Sequence, residues 1–179
     1  MATTQIMIAG FGGQGVMSIG KTLVEAGMAE ELEVSWVPSY GPEMRGGTAN
    51  CSVILSDAVI GSPIIYNPTE LIAMNAPSLQ KFEADVVPSG IIFLNSSIVK
   101  VPVERTDVRV IEVPCDQIAA ELGNPKVANM VMLGAYIEAT KALKTKTLQD
   151  MLGHMFTGAK AKLVPLNMEA MARGAACVK

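Results

Sequence analysis

Short apolar blocks punctuated by glycine and proline fill the first two thirds of the chain, and apolar positions at helical spacing fill the rest. The opening block, Ile6-Met7-Ile8-Ala9, is apolar on both alternating faces. That pattern marks a strand covered on both sides, read here over residues 4–9. Val16, Ile19, Leu23, Val24 and Gly27 then fall on one stripe, predicting a helix from residue 13 or 14 to residue 31. Further strands are expected over 34–37, 48–55, 70–74, 91–94 and 108–113, with a short edge segment at 59–63. Residues 53–65 have the pattern of an antiparallel hairpin. Helices are expected over 76–84, 116–122 (stopped by Gly123-Asn124-Pro125), 126–143, 148–156 and 167–176, the last with Asn167 as its cap.

Strands alternating with helices imply a single α/β domain over residues 1–179. Its expected form is three layers, α/β/α, around a mainly parallel, mixed sheet, with a helical C-terminal part. No repeat, low-complexity tract or linker divides the chain.

Two glycine clusters stand out, each after a strand. The first is Gly10-Phe11-Gly12-Gly13-Gln14-Gly15; the second runs from Ser39 through Tyr40, Gly41, Pro42, Glu43, Met44, Arg45 and Gly46 to Gly47. Both are expected at one edge of the sheet, where such folds place their working loops. Gly10, Gly12 and Gly15 match the glycine pattern of a dinucleotide site. The acid that should close the second strand and hold a ribose is replaced by Trp36-Val37-Pro38-Ser39, which argues against NAD. A tight turn with an interface role fits better, and an anion against the Gly12 to Gly15 amides stays open. Arg45, framed by glycine and proline, can grip a phosphate or carboxylate with its guanidinium, or simply pair with Glu43. Asn95-Ser96-Ser97 and the asparagines at 124 and 129 read first as caps and turn formers.

Composition narrows the classes of function. The chain is 50% hydrophobic and 17% charged, with twelve Met. Mean hydropathy is +0.35. Either an Ala- and Met-rich core or apolar surface facing partner subunits accounts for this. The net charge of −3 argues against nucleic acid. No stretch approaches the roughly twenty apolar residues of a membrane span; the nearest, 127–139, is interrupted by Asn129 and Glu138. The chain enters its first strand without a basic leader, so a cytoplasmic location is expected. Cys51, Cys115 and Cys177 are scattered, so no zinc or iron–sulfur spacing exists and no metal site is expected. His154 stands alone. No Ser–His–Asp set or carboxylate pair can be assembled, so no catalytic residue is assigned.

Phe11 to Val16, Pro38 to Cys51, Gly61-Ser62-Pro63 and Asn95-Ser96-Ser97 together resemble the gamma subunit of 2-oxoacid:ferredoxin oxidoreductases. The likeness covers nearly the whole chain, and the second motif resembles the 2-oxoglutarate and branched-chain oxoacid subgroup. The resemblance implies a complex that decarboxylates a 2-oxoacid, with 2-oxoglutarate the expected substrate. It passes electrons to ferredoxin and the acyl group to coenzyme A. Alpha and beta subunits, and a delta subunit, would hold thiamine diphosphate, Mg2+ and [4Fe-4S] clusters, and this chain none of them alone. The chain would have no activity by itself, and a homodimer of the isolated subunit is conceivable. Gly12, Gly13, Gln14, Gly15 and Arg45 are expected to border coenzyme A or an interface. Tyr40, Gly41, Pro42, Glu43, Met44, Gly46, Gly47 and Asn95 are expected in the interface and its loops. A free-standing nucleotide-binding protein and a pure scaffold are the competing expectations.

Overall fold

The computed structural model describes residues 3–41 and 47–178. Six strands form one sheet: β1 (Thr4–Phe11), β2 (Glu33–Tyr40), β3 (Thr48–Ser56), β4 (Glu70–Ala73), β5 (Ile91–Asn95) and β6 (Arg109–Val113), in the order β2-β3-β1-β4-β5-β6. β1, β4, β5 and β6 pair in parallel, while β3 runs antiparallel to both its neighbours. The sheet is therefore mixed and mainly parallel, as expected.

Alternation along the central strands sends side chains to two different layers. Ile6, Ile8, Ile72 and Phe93 face one core cluster, and Met7, Leu71, Ala73 and Ile92 the other. The first is thick. It packs against α1 (Val16–Ala29), α3 (Cys115–Glu121), α4 (Ala128–Thr140), α5 (Thr145–Met155) and α6 (Val164–Ala175). The second is closed by the short α2 (Ala76–Phe82), with Leu79, and by Val86 and Val99 from the segments beyond it.

Ten consecutive residues of α4, Ala128 to Ile137, are buried. A helix apolar all round must be enclosed on all sides, and α4 lies between the sheet and α6. The apolar run at 127–139 thus builds this chain's own core.

Several boundaries differ from the sequence expectation. The hairpin consists of β2 and β3, paired from Glu33↔Ser56 to Tyr40↔Ala49, so the second glycine cluster is its connection. Residues 57–69 contain no strand, which removes both the hairpin at 53–65 and the edge segment at 59–63. Pro63 and Pro68 lack the N–H a ladder needs, and the edge beside β3 is already taken by β2. Pro38 is tolerated because β2 is the edge strand. The helix expected over 126–143 is a 3-10 turn at Pro125–Val127 followed by α4, which ends at Lys141 with φ 53°. Asn167 is not a cap: its Nδ2 donates to Leu163 O at 2.7 Å from inside α6. Pro165 suits the first turn of a helix, where no N–H is required, and so starts α6 earlier.

Candidate functional site

The turn from β1 into α1 is held by one side chain. Gln14 Oε1 accepts from the Phe11 N–H at 2.7 Å and from Asn75 Nδ2 at 3.2 Å, while its Nε2 donates to Met74 O at 3.0 Å. Gln14 therefore ties the loop to the end of β4. Gly10 has no room for a side chain, since a Cβ would fall 2.7 Å from Gln14 Oε1 and 2.8 Å from Val16 Cγ2. Gly13 and Gly15 adopt φ +97° and +76°, conformations other residues rarely take. A Cβ on Gly15 would also strike Asn129 of α4 at 2.5 Å. Gly15 caps α1 without a side-chain hydrogen bond, leaving the helix's first amides for another partner.

The two glycine clusters lie at one end of the sheet, and there they touch. The Gly12 N–H donates to Gly47 O at 2.9 Å, and the Gly41 N–H donates to Thr48 O at 2.8 Å. Between them opens a hollow of about 330 Å3, lined by Phe11, Gly12, Gly13, Met17, Tyr40 and Gly47 among others. Tyr40 is 57% exposed on its rim. Pro42, Glu43, Met44, Arg45 and Gly46 lie outside the described residues. Asn95 sits elsewhere, fully buried at the end of β5. Its Oδ1 accepts from the Cys115 and Ser97 N–H groups at 3.2 and 3.3 Å, and its Nδ2 donates to Asp116 at 2.5 Å. It braces the start of α3, the role of a turn former rather than of an exposed loop residue.

The surroundings offer no reactive thiol. Burial pushes the Cys51 thiol up to about 11 and lifts that of Cys115 well above its ordinary value. His154 is exposed on α5 and does not line the hollow. Among the described residues, no three His, Cys, Asp or Glu side chains gather as a metal site, and no helix is long and apolar enough to cross a membrane. The sheet order also separates the glycine turn from a dinucleotide site. In that fold β2 lies parallel and next to β1, and its end supplies the ribose acid. Here the antiparallel β3 occupies that place, with Phe11↔Thr48 and Ala9↔Asn50 in register.

The family of pyruvate ferredoxin/flavodoxin oxidoreductase matches residues 5–177. The chain belongs to that family. It is 38% identical, over 96% of its length, to the ketoisovalerate oxidoreductase subunit VorA of Methanothermobacter marburgensis, and spans 36% of that protein. It is 32% identical to the 2-oxoglutarate synthase subunit KorC of Methanocaldococcus jannaschii, covering 81% of this chain and 79% of KorC. The solved gamma subunit of a keto/oxoacid ferredoxin oxidoreductase from Geobacter sulfurreducens superposes with TM-score 0.82 at 25% identity, over 97% of both chains. A 2-oxoglutarate:ferredoxin oxidoreductase from Magnetococcus marinus, solved with 2-oxoglutarate, coenzyme A and succinyl-CoA bound, shares the fold. There the TM-score is 0.91 at 24% identity, over 99% of this chain and 31% of the other. The chain thus spans about a third of VorA and of the Magnetococcus protein but most of KorC.

Proposed function

We propose that the chain is the gamma component of a 2-oxoacid:ferredoxin oxidoreductase that converts 2-oxoglutarate or a branched-chain 2-oxoacid to its acyl-CoA. Its work is to dock on the alpha and beta subunits, and on a delta subunit, and to border the approach of coenzyme A. The observation that carries this role is the joined pair of glycine loops around an open hollow, in a chain whose family acts as multi-subunit oxoacid oxidoreductases. Among the described residues the hollow presents glycine backbone, apolar side chains and the Ser18, Tyr40 and Thr48 hydroxyls, with no histidine, cysteine or carboxylate to activate them, as suits positioning rather than bond making.

Three cysteines, two of them buried, cannot supply the four thiolates of an iron–sulfur cluster. In this reading the clusters, and with them thiamine diphosphate and Mg2+, are held by the partner subunits. Val59 (87% exposed), Ile64 and Tyr66 offer apolar surface for those subunits. An unbound enzyme of the nucleotide-binding class has no support in the strand order around the glycine turn.

The test is kinetic and uses the assembled complex. Replacing Arg45 or Tyr40 with Ala should raise the KM for coenzyme A by about tenfold, the scale of one lost charge-assisted or well-packed contact. The KM for the oxoacid should rise much less. An unchanged coenzyme A KM in complexes that assemble normally would leave the loops as scaffold only. Comparing 2-oxoglutarate with ketoisovalerate in the same assay assigns the substrate.

A further inference from the structure

A second hollow lies across the ends of β1 and β3 from the first, on the side of α2. It measures about 100 Å3 and is lined by Asn50, Asn75, Ser78, Lys81 and Phe82, together with Phe11, Thr48 and Ala49. Those last three residues also line the larger hollow. The two spaces are therefore neighbours across the paired ends of β1 and β3, where Phe11 faces Thr48.

Their chemistry differs. Among the described residues no charged side chain lines the larger hollow, which offers aromatic, aliphatic and glycine surface with the Ser18, Tyr40 and Thr48 hydroxyls. Lys81 lines the smaller one, and among the described residues no acidic side chain does. The Lys81 ammonium stands 5.1 Å from the centroid of the Phe82 ring, a cation–π contact that keeps it against the wall of the hollow. Lys21, Lys141 and Lys146 each have a carboxylate partner, in Glu25, Glu138 and Asp150. Lys81 has no such partner among the described residues. Asn50, half-buried in the same wall, makes no side-chain hydrogen bond among them either.

We propose, resting on the coenzyme A role above, that Lys81 and Asn50 hold the phosphate-bearing end of coenzyme A in the smaller hollow while its neutral thiol arm crosses Phe11 into the larger one. Coenzyme A has this same division, an uncharged amide-containing arm joined to an anionic phosphorylated nucleotide. The smaller hollow has room for a phosphate group and not for a whole nucleotide, so the adenosine extends outward over α2. An ammonium facing phosphate oxygens with no competing carboxylate is a favourable pairing.

The experiment compares two ligands in the assembled complex, coenzyme A and pantetheine, which lacks the phosphates. Lys81→Gln should weaken coenzyme A by about five- to tenfold, the scale of a single charge-assisted contact, and Lys81→Glu should weaken it further. Lys81→Arg should largely restore binding. The inhibition constant of pantetheine should stay unchanged in all three. An equal loss for pantetheine would show that Lys81 acts through pocket shape and would overturn the proposal. So would an unchanged coenzyme A constant. If Arg45→Ala and Tyr40→Ala raise the coenzyme A KM while the Lys81 variants do not, only the phosphate assignment falls. If none of them does, the coenzyme A role falls with it.

Discussion

Glycine serves opposite ends in two regions of this molecule. Where α4 crosses α6, it lets two backbones touch. A Cβ on Gly134 would lie 2.0 Å from Met171 O, and one on Gly174 would lie 1.8 Å from Val131 O. At the rim of the site, Gly13 has φ +97° and a Cβ there would meet nothing within 4 Å among the described residues. The helical pair needs glycine because of what lies next to it. Gly13 needs it because of its own backbone, and the space beside it stays open for a ligand. Close helix packing in one place and open space in the other are made from the same residue type.

The sharpest way to break this contrast is to add one methyl group in each place. Gly174→Ala or Gly134→Ala should destabilise the fold by roughly 3 kcal/mol, since helix backbone and not a flexible side chain must yield. That corresponds to a fall in Tm of about 6–12 °C for a chain of this size. Thermal unfolding of the isolated subunit checks it. A shift of only a degree or two would mean that the two helices separate easily and the tight layer is not tight.

Glu70 sharpens the contrast from within the packed region. It opens β4, and burial pushes its carboxyl up to about 7 from an ordinary 4.5. The Thr69 hydroxyl, 2.8 Å from Glu70 Oε2, only partly opposes this. The folded state therefore binds the proton more tightly than the unfolded chain does. The stability it contributes is fully present below pH 4.5 and is lost as pH rises through about 7. The loss amounts to at most about 3 kcal/mol. Unfolding measured at pH 5.5 and at pH 8 should show lower stability at the higher pH, and Glu70→Gln should flatten the difference. A pH-independent Glu70→Gln effect would contradict a buried, proton-holding carboxyl.

The smallest effect belongs at the rim. Gly13→Ala should cost about 1–2 kcal/mol from backbone conformation alone. Its thermal shift should be well below that of Gly174→Ala, even though both add the same atom. Equal shifts would erase the distinction between contact and conformation.

Residues near one another in sequence made much of this legible. The apolar blocks at 6–9, 71–74 and 91–94 mark strands whose two faces are both covered, and β1, β4 and β5 lie there. The order of strands and helices implied the mixed, mainly parallel sheet. The glycine motifs were enough to identify the family. The hairpin was misplaced because residues 34–37 and 48–55 give no local sign that they pair with each other. That pairing depends on the connection through the second glycine cluster. Asn167 looked like a cap because Asn favours that position, but Pro165, two residues earlier, decided where α6 begins.

Local pattern and motif, then, determined which segments are strands and helices, where the glycine turns fall, and to which family the chain belongs. Only the tertiary structure decided that β3 separates β1 from β2 and that Gly12 reaches Gly47. It alone showed that Gly134 and Gly174 let the α4 and α6 backbones touch, and that Lys81 lines the same hollow as Phe11. The physical reason is distance along the chain. Turn and helix preferences act over a few residues and can be read locally. A contact across forty residues exists only once the sheet has closed, when burial of its two faces selects one pairing over the others.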